Sequence, residues 1–403
     1  VSSLLVLMMT LPGLALFYGG LVRKDNVLAT LMQTLAVACI ISLVWPIIGY
    51  SMTFTEGNGW SGGLSKMFLK GVGVDSMTGT IPETVFLLFQ LKFAIITCAI
   101  ILGSIADRIK FSTVLVFTVL WSIFVYSPVA HWVWGPGGFI GGVGLTDYKG
   151  FLGYGTALDF AGGTVVHISS GVAGLVAALV LGKSVQGSQS SSNNLVLSVI
   201  GGGMLWIGWF GFNAGSTLAA NGIAGMAFLV TNTAAATACI AWVMLEWMVK
   251  GKPSVAGALS GFVAGLVAIT PGSGFVDFGA SIVFGLAATV FCFFAVAFLK
   301  EKLGYDDNLD AFGIHGIGGI VGALLTGVYA STAIGGRAGL LEGNSDQVIA
   351  QALAVGVTIA YSAIVTFVIL IVLKYTIGIR VDEHTERTGL DMALHGEKVH
   401  VYH

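Results

Sequence analysis

Two histidines sit in surroundings that disfavour them. His167 opens the run His167-Ile-Ser-Ser-Gly171-Val-Ala-Gly174, and His315 opens His315-Gly-Ile-Gly-Gly319-Ile-Val-Gly322. Both read H-x3-G-x2-G, and each has an acid upstream, Asp159 and Asp310. An ionisable side chain among lipid-soluble residues is costly, and it marks a functional site. Two neutral imidazoles can meet edge to edge, one donating N–H and the other accepting it. Such a pair can pass a proton or line a narrow path for a small polar solute. Two other readings stand beside this one. The histidines can be separate, each bonded to backbone carbonyls. They can also ligate a haem, although the chain offers no second pair.

A second group suits a cation. The stretch Trp206-Ile-Gly-Trp209-Phe-Gly-Phe212-Asn-Ala-Gly-Ser216 carries aromatic rings and ends on a hydroxyl. Phe93 lies midway along another apolar run, and Trp134 follows a third. Aromatic faces attract cations, tryptophan most strongly, and a serine oxygen accepts from an ammonium group. Trp134, Phe93, Phe212 and Ser216 are therefore expected to form a cation site above the histidines. The alternative for Trp134 and Trp209 is an interfacial aromatic belt. Lys92 adjoins Phe93, but a helical neighbour points roughly 100° away. It is expected to snorkel or pair at a subunit interface; as a fixed charge near the path it would instead slow cations.

The elements that must position these groups follow from composition. Hydrophobic residues are 56% of the 403, and charged ones 9%, against roughly 25% in soluble domains. So few charges cannot cover a water-facing surface, so the chain is read as an all-α polytopic membrane protein. A spanning helix needs roughly 20 apolar residues. Eleven runs qualify, near 2–22, 27–50, 82–104, 110–130, 159–182, 194–218, 221–247, 253–272, 276–299, 312–331 and 346–378. Lys and Arg concentrate on one side, at Arg23, Lys24, Arg108, Lys110, Lys183 and beyond Lys374. That side is expected to be cytoplasmic, with the N-terminus outside and the C-terminus inside. His167 then falls eight residues into an inward-running span, and His315 lies in an outward-running one. Two inverted five-helix repeats plus a final helix are expected, with the binding path between the halves.

Other classes find little. Cys39, Cys98, Cys239 and Cys292 lie in apolar runs with no CxxC spacing, so no metal or disulfide role is assigned. The net charge of −2 carries no nucleic-acid footprint. No nucleophile–base pair or phosphate loop points to an enzyme or a cofactor. No NPA run suggests a water channel. Val1 lies almost immediately within an apolar run, compatible with a removed leader or a trimmed start.

The longer motifs resemble a known family. Asp159-Phe-Ala-Gly-Gly-Thr-Val-Val-His167, Phe17-Tyr-Gly-Gly20, Gly208-Trp-Phe-Gly-Phe-Asn-Ala-Gly-Ser216 and Asp310-Ala-Phe-Gly-Ile-His315-Gly look like the ammonium transporter family (Amt/Mep/Rh), bacterial Amt branch. The likeness covers essentially the whole chain. It implies an ammonium recruitment site at Trp134, Phe93 and Ser216, and a gate of Phe93 over Phe212. It implies pore histidines His167 and His315, support from Asp159, and Trp209 lining the pore. It further implies a homotrimer in the cytoplasmic membrane, no cofactor, and a PII-type partner on the cytoplasmic face. Residues 1–378 would be the transport domain and 379–403 a cytoplasmic tail. An ammonium sensor is the alternative function, suggested by Lys92 and by the tail. The glycine-rich run from Gly135 to Gly155 is expected to cap the entrance.

Overall fold

A computed structural model describes residues 1–141, 153–185 and 192–399 of the chain. Among the described residues, ten helices are long and apolar enough to cross a membrane. They are α1 (Ser2–Leu21), α2 (Lys24–Phe54), α3 (Glu83–Leu102), α4 (Phe111–Trp134), α5 (Gly163–Leu181), α6 (Leu195–Gly215), α7 (Gly222–Lys250), α9 (Phe278–Leu303), α10 (Phe312–Tyr329) and α11 (Asp346–Thr376). The eleventh, α8 (Val255–Ile269), is shorter. Its residues from Gly261 to Ile269 are all buried, so neighbouring helices rather than lipid surround most of it. A small hairpin, β1 (Met77–Thr78) with β2 (Ile81–Pro82), leads directly into α3. The expected all-α membrane fold is what forms.

Two boundaries differ from expectation, each for a local reason. Helix α4 runs on through His131 to Trp134, past the expected end at 130. His131 is fully buried, and its ring nitrogens lie 2.8 Å from the carbonyls of Thr53 and Asn58. With its polar atoms partnered, the ring does not end the helix. Helix α5 begins at Gly163 rather than near 159, because Gly162 has a φ of +111° and breaks the turn. His167 is thus the fifth helical residue, not the eighth. Of the expected entrance cap, residues 142–152 lie outside the described residues.

Helix α1 packs on α6, and α5 on α10, so first meets first and fifth meets fifth between the halves. The glycines of the repeated motif explain the closeness. A Cβ on Gly171 would stand 2.3 Å from the Gly316 nitrogen. One on Gly319 would stand 3.0 Å from the Gly163 oxygen and 3.1 Å from the His167 Cβ. The first glycine of each motif therefore lets α5 and α10 cross at backbone distance. The second glycines face the third helix of their own half. Gly174 lies against Ser104 just beyond α3, and Gly322 against Ala268 in α8.

Large apolar side chains such as Phe228, Met244, Phe291, Phe294, Ile364 and Phe367 are exposed on α7, α9 and α11. That surface suits lipid. At the end opposite Trp134, Arg108 is completely buried and donates to the Gly182 carbonyl at 3.0 Å. The tail folds back onto the same end. Arg380 donates to the carbonyls of Leu181 and Lys183 and pairs with Glu386, while Asp391 accepts from the Ala29 N–H at 2.8 Å.

Candidate functional site

A cavity of about 390 Å³ opens at the Trp134 end of the bundle. Phe93, Trp134 and Ser216 line its floor, the three residues expected to gather there. Phe93 and Trp134 meet edge to face, with centroids 5.8 Å apart. The Trp134 Nε1–H donates to the Asp159 carbonyl at 2.8 Å, which fixes the indole. The Ser216 hydroxyl donates to the Phe212 carbonyl at 2.8 Å. Its proton is thereby committed, and its lone pairs remain for a donor.

Beneath this floor the Phe93 and Phe212 rings stack, with centroids 4.0 Å apart and planes 19° apart. The stack closes the bottom of the cavity with hydrocarbon. Directly behind it comes His167, whose ring lies 6.1 Å from Phe212 and 5.3 Å from Trp209. The Trp209 Nε1–H is held by the Thr270 hydroxyl at 2.8 Å.

His167 and His315 touch through their Nδ1 atoms, 3.2 Å apart. One ring must donate there while the other accepts, so the contact carries a single proton. At these nitrogens the rings bond to each other rather than to backbone carbonyls. His167 Nε2 is buried without a partner among the described residues. Past His315 lies a space of about 10 Å³, lined by Trp209 and by apolar residues including Ile96, Ile100, Leu205 and Val263. That is about the room one water-sized molecule needs.

Each histidine stands close to the start of its helix, where the first N–H groups lack helical acceptors. Asp159 supplies them for α5. Its carboxylate accepts from the N–H groups of Gly162, Gly163, Thr164 and Val165 and from the Thr164 hydroxyl. In the other half this task falls to Asp307, which accepts from Ala311 and Phe312 at 3.1 and 2.8 Å and from the Ser104 hydroxyl at 2.7 Å. Asp310, expected as the mate of Asp159, instead pairs with Lys300 at 2.8 Å. Burial and the neighbouring Asp307 push its carboxyl up to about 6, against the pull of Lys300. The signal was available in the spacing, since Asp159 and Asp307 each precede their histidine by eight residues.

Losing the Asp159 carboxylate leaves several buried N–H groups without acceptors. Asp159→Ala is therefore expected to destabilise the protein by about 3 kcal/mol. Thermal unfolding in detergent reads this, and an unchanged midpoint would refute the capping role.

Lys92 does not line the cavity. It follows Val85 and Leu88, both nearly half exposed, along the outer flank of α3. Among the described residues it makes no ion pair.

The model of the Ammonium Transporter Family matches residues 1–400. An ammonium transporter of Bacillus subtilis is 49% identical over 402 residues, 99% of this chain and 96% of that protein. The crystal structure of Saccharomyces cerevisiae Mep2 superposes with a TM-score of 0.84 at 33% identity, covering 95% of this chain and 89% of that one. A structure described as a sensor Amt protein superposes with a TM-score of 0.89 at 27% identity, covering 98% of this chain and 96% of that one. The chain belongs to the ammonium transporter family.

Proposed function

We propose that this protein moves ammonium across the cytoplasmic membrane, taking the ion at the Trp134 cavity and passing ammonia along the histidine pair. The observation that carries the reading is the unbroken line from Trp134 through Phe93, Phe212 and His167 to His315. Ammonium in water is strongly hydrated, and a bare cation in an apolar lumen pays a large desolvation cost. The Trp134 and Phe93 rings with the Ser216 oxygen replace part of that hydration. Beyond the stacked phenylalanines, burial favours the neutral form, so the ion gives up its proton. The phenylalanines part to admit ammonia. The imidazoles offer it hydrogen bonds and offer the proton a route, which makes net transport electrogenic.

The basic end bearing Arg108 and the tail is assigned to the cytoplasm, and the Trp134 cavity to the outside. Residues 1–378 form the transport domain and 379–403 its cytoplasmic tail. The family resemblance supports a homotrimer with one path per subunit and a PII-type protein on the cytoplasmic face. Transport is favoured over sensing by the 49% identity to a protein named as a transporter, against 27% to the sensor structure.

The test is a pulse of ammonium onto proteoliposomes on a solid-supported membrane. Transient currents that saturate with ammonium are expected; binding without current would overturn transport in favour of sensing. Lys92→Ser should leave those currents within about twofold, because the side chain lies on the outer flank of α3. A larger rise would make Lys92 a brake on the path.

A further inference from the structure

The cavity holds a second cation-binding group that the path described above does not use. Glu83, Phe86, Gln90 and Phe93 all line it. They fall at i, i+3, i+7 and i+10 along α3, so they form one stripe of that helix. Phe93 is at the floor, and Glu83 stands near the rim, roughly 15 Å away at 1.5 Å per residue.

The Glu83 side chain is only 5% exposed. A carboxylate so enclosed needs partners. It has two, both on Oε1. The Tyr50 hydroxyl donates to it at 2.7 Å, and so does the Lys66 ammonium group. Among the described residues no hydrogen bond reaches Oε2. The Lys66 nitrogen also lies 6.0 Å from the centre of the Tyr50 ring. Phe54 and Phe86 complete the wall, with centroids 4.9 Å apart.

The Lys66 head is a primary ammonium ion. It sits on a carboxylate, over an aromatic face, inside the cavity that leads to Trp134. That environment is what a small free ammonium ion would choose. The lysine arrives from the loop between α2 and β1, anchored by its own N–H on the Ser51 hydroxyl at 3.0 Å. Its side chain remains 34% exposed, so it can swing out without disturbing a helix.

We propose that Glu83 and Tyr50 form an outer subsite for ammonium or a small alkylammonium ion, and that the Lys66 amino group is a tethered competitor occupying it. The inference rests on the transport reading above, because it supplies the step before the Trp134 site. An arriving ion displaces Lys66 from Glu83, then moves down the stripe of α3 past Gln90 to Phe93. Lys66 closes behind it and restores charge balance at the rim.

Two readouts separate this subsite from the path itself. Ammonium- and methylammonium-dependent thermal stabilisation of the purified protein, with sodium as the control cation, reports binding. Current in proteoliposomes reports transport. Lys66→Met is expected to lower the half-saturating ammonium concentration for stabilisation about fivefold, the effect of removing roughly 1 kcal/mol of competition. Glu83→Gln in the Lys66→Met background should abolish that gain, and Lys66→Arg should show none, since its charge still occupies Glu83. The melting curves themselves report whether each variant is folded, and the double variant removes both charges of the pair together. A half-saturating concentration in a folded Lys66→Met protein equal to that of the wild type overturns the subsite. Wild-type protein that binds ammonium but passes no current overturns the transport reading instead.

Discussion

Proteoliposomes carrying the His167→Ala, His315→Ala double variant are expected to pass at least about a hundredfold less current after an ammonium pulse than wild type, the scale of losing a positioned proton acceptor and donor. The reason lies in what remains. Below the stacked Phe93 and Phe212 rings, the lumen is walled by Ile96, Ile100, Leu205 and Val263, with the indole of Trp209 committed to Thr270. Without the imidazoles, no side chain there both accepts and donates a hydrogen bond. Ammonia loses its partners, and the proton loses every step between the cavity and the far end. Because the Nδ1 contact holds one proton between two rings, a single alanine already leaves the other nitrogen unpaired. Singles are expected to fall close to the double rather than halfway, since the two rings act as a unit. Current from the double variant equal to wild type, in protein whose melting curve is intact, would remove the relay.

The crossing of α5 and α10 should fail unevenly when methyl groups are added. Gly171→Ala forces its new Cβ to 2.3 Å from a backbone nitrogen of Gly316, and Gly322→Ala forces one to 2.1 Å from the Ala268 carbonyl oxygen. Backbone cannot rotate away, so each helix must shift, at a cost of about 3 kcal/mol. For Gly171 the shift separates the two imidazoles, and current should fall about tenfold or more as the positioned geometry is lost. The other two glycines of the motifs are gentler. Gly174→Ala meets the Ser104 hydroxyl at 2.5 Å, which can turn, and Gly319→Ala meets the Ile168 Cγ1 at 2.9 Å and the Gly163 carbonyl oxygen at 3.0 Å, contacts that a smaller shift relieves. Both should keep most of their current. Currents and melting midpoints across the four variants give the ranking. Equal effects at all four positions would refute the close-crossing account.

Much of this arrangement was readable in the chain, because the signals are local or repeated. Apolar runs of helical length gave eleven spans, since a lipid-crossing helix must hide its whole backbone within one segment. The recurrence of H-x3-G-x2-G placed the histidines in opposed halves. Less legible was anything set by contacts between distant segments. The end of α4 was set short of His131, whose partners at Thr53 and Asn58 are more than seventy residues away. Asp310 was chosen over Asp307 on motif likeness, whereas capping is a matter of reach to particular N–H groups. Lys66 counts in the sequence only as one of the few basic residues on the side opposite the cytoplasmic one. It is an ordinary loop lysine until α3 places Glu83 beside it.

The Nδ1 contact between His167 and His315 has a final consequence. It joins the repeated motifs of the two halves, so on the transport reading an ammonia molecule arriving from either side meets an imidazole. Direction must come from the concentrations the membrane separates, and any bias must be written at the mouths. There the two ends differ: one presents Glu83 paired with Lys66, the other Asp310 clasped to Lys300. Such a molecule is a turnstile whose attendants stand at the doors.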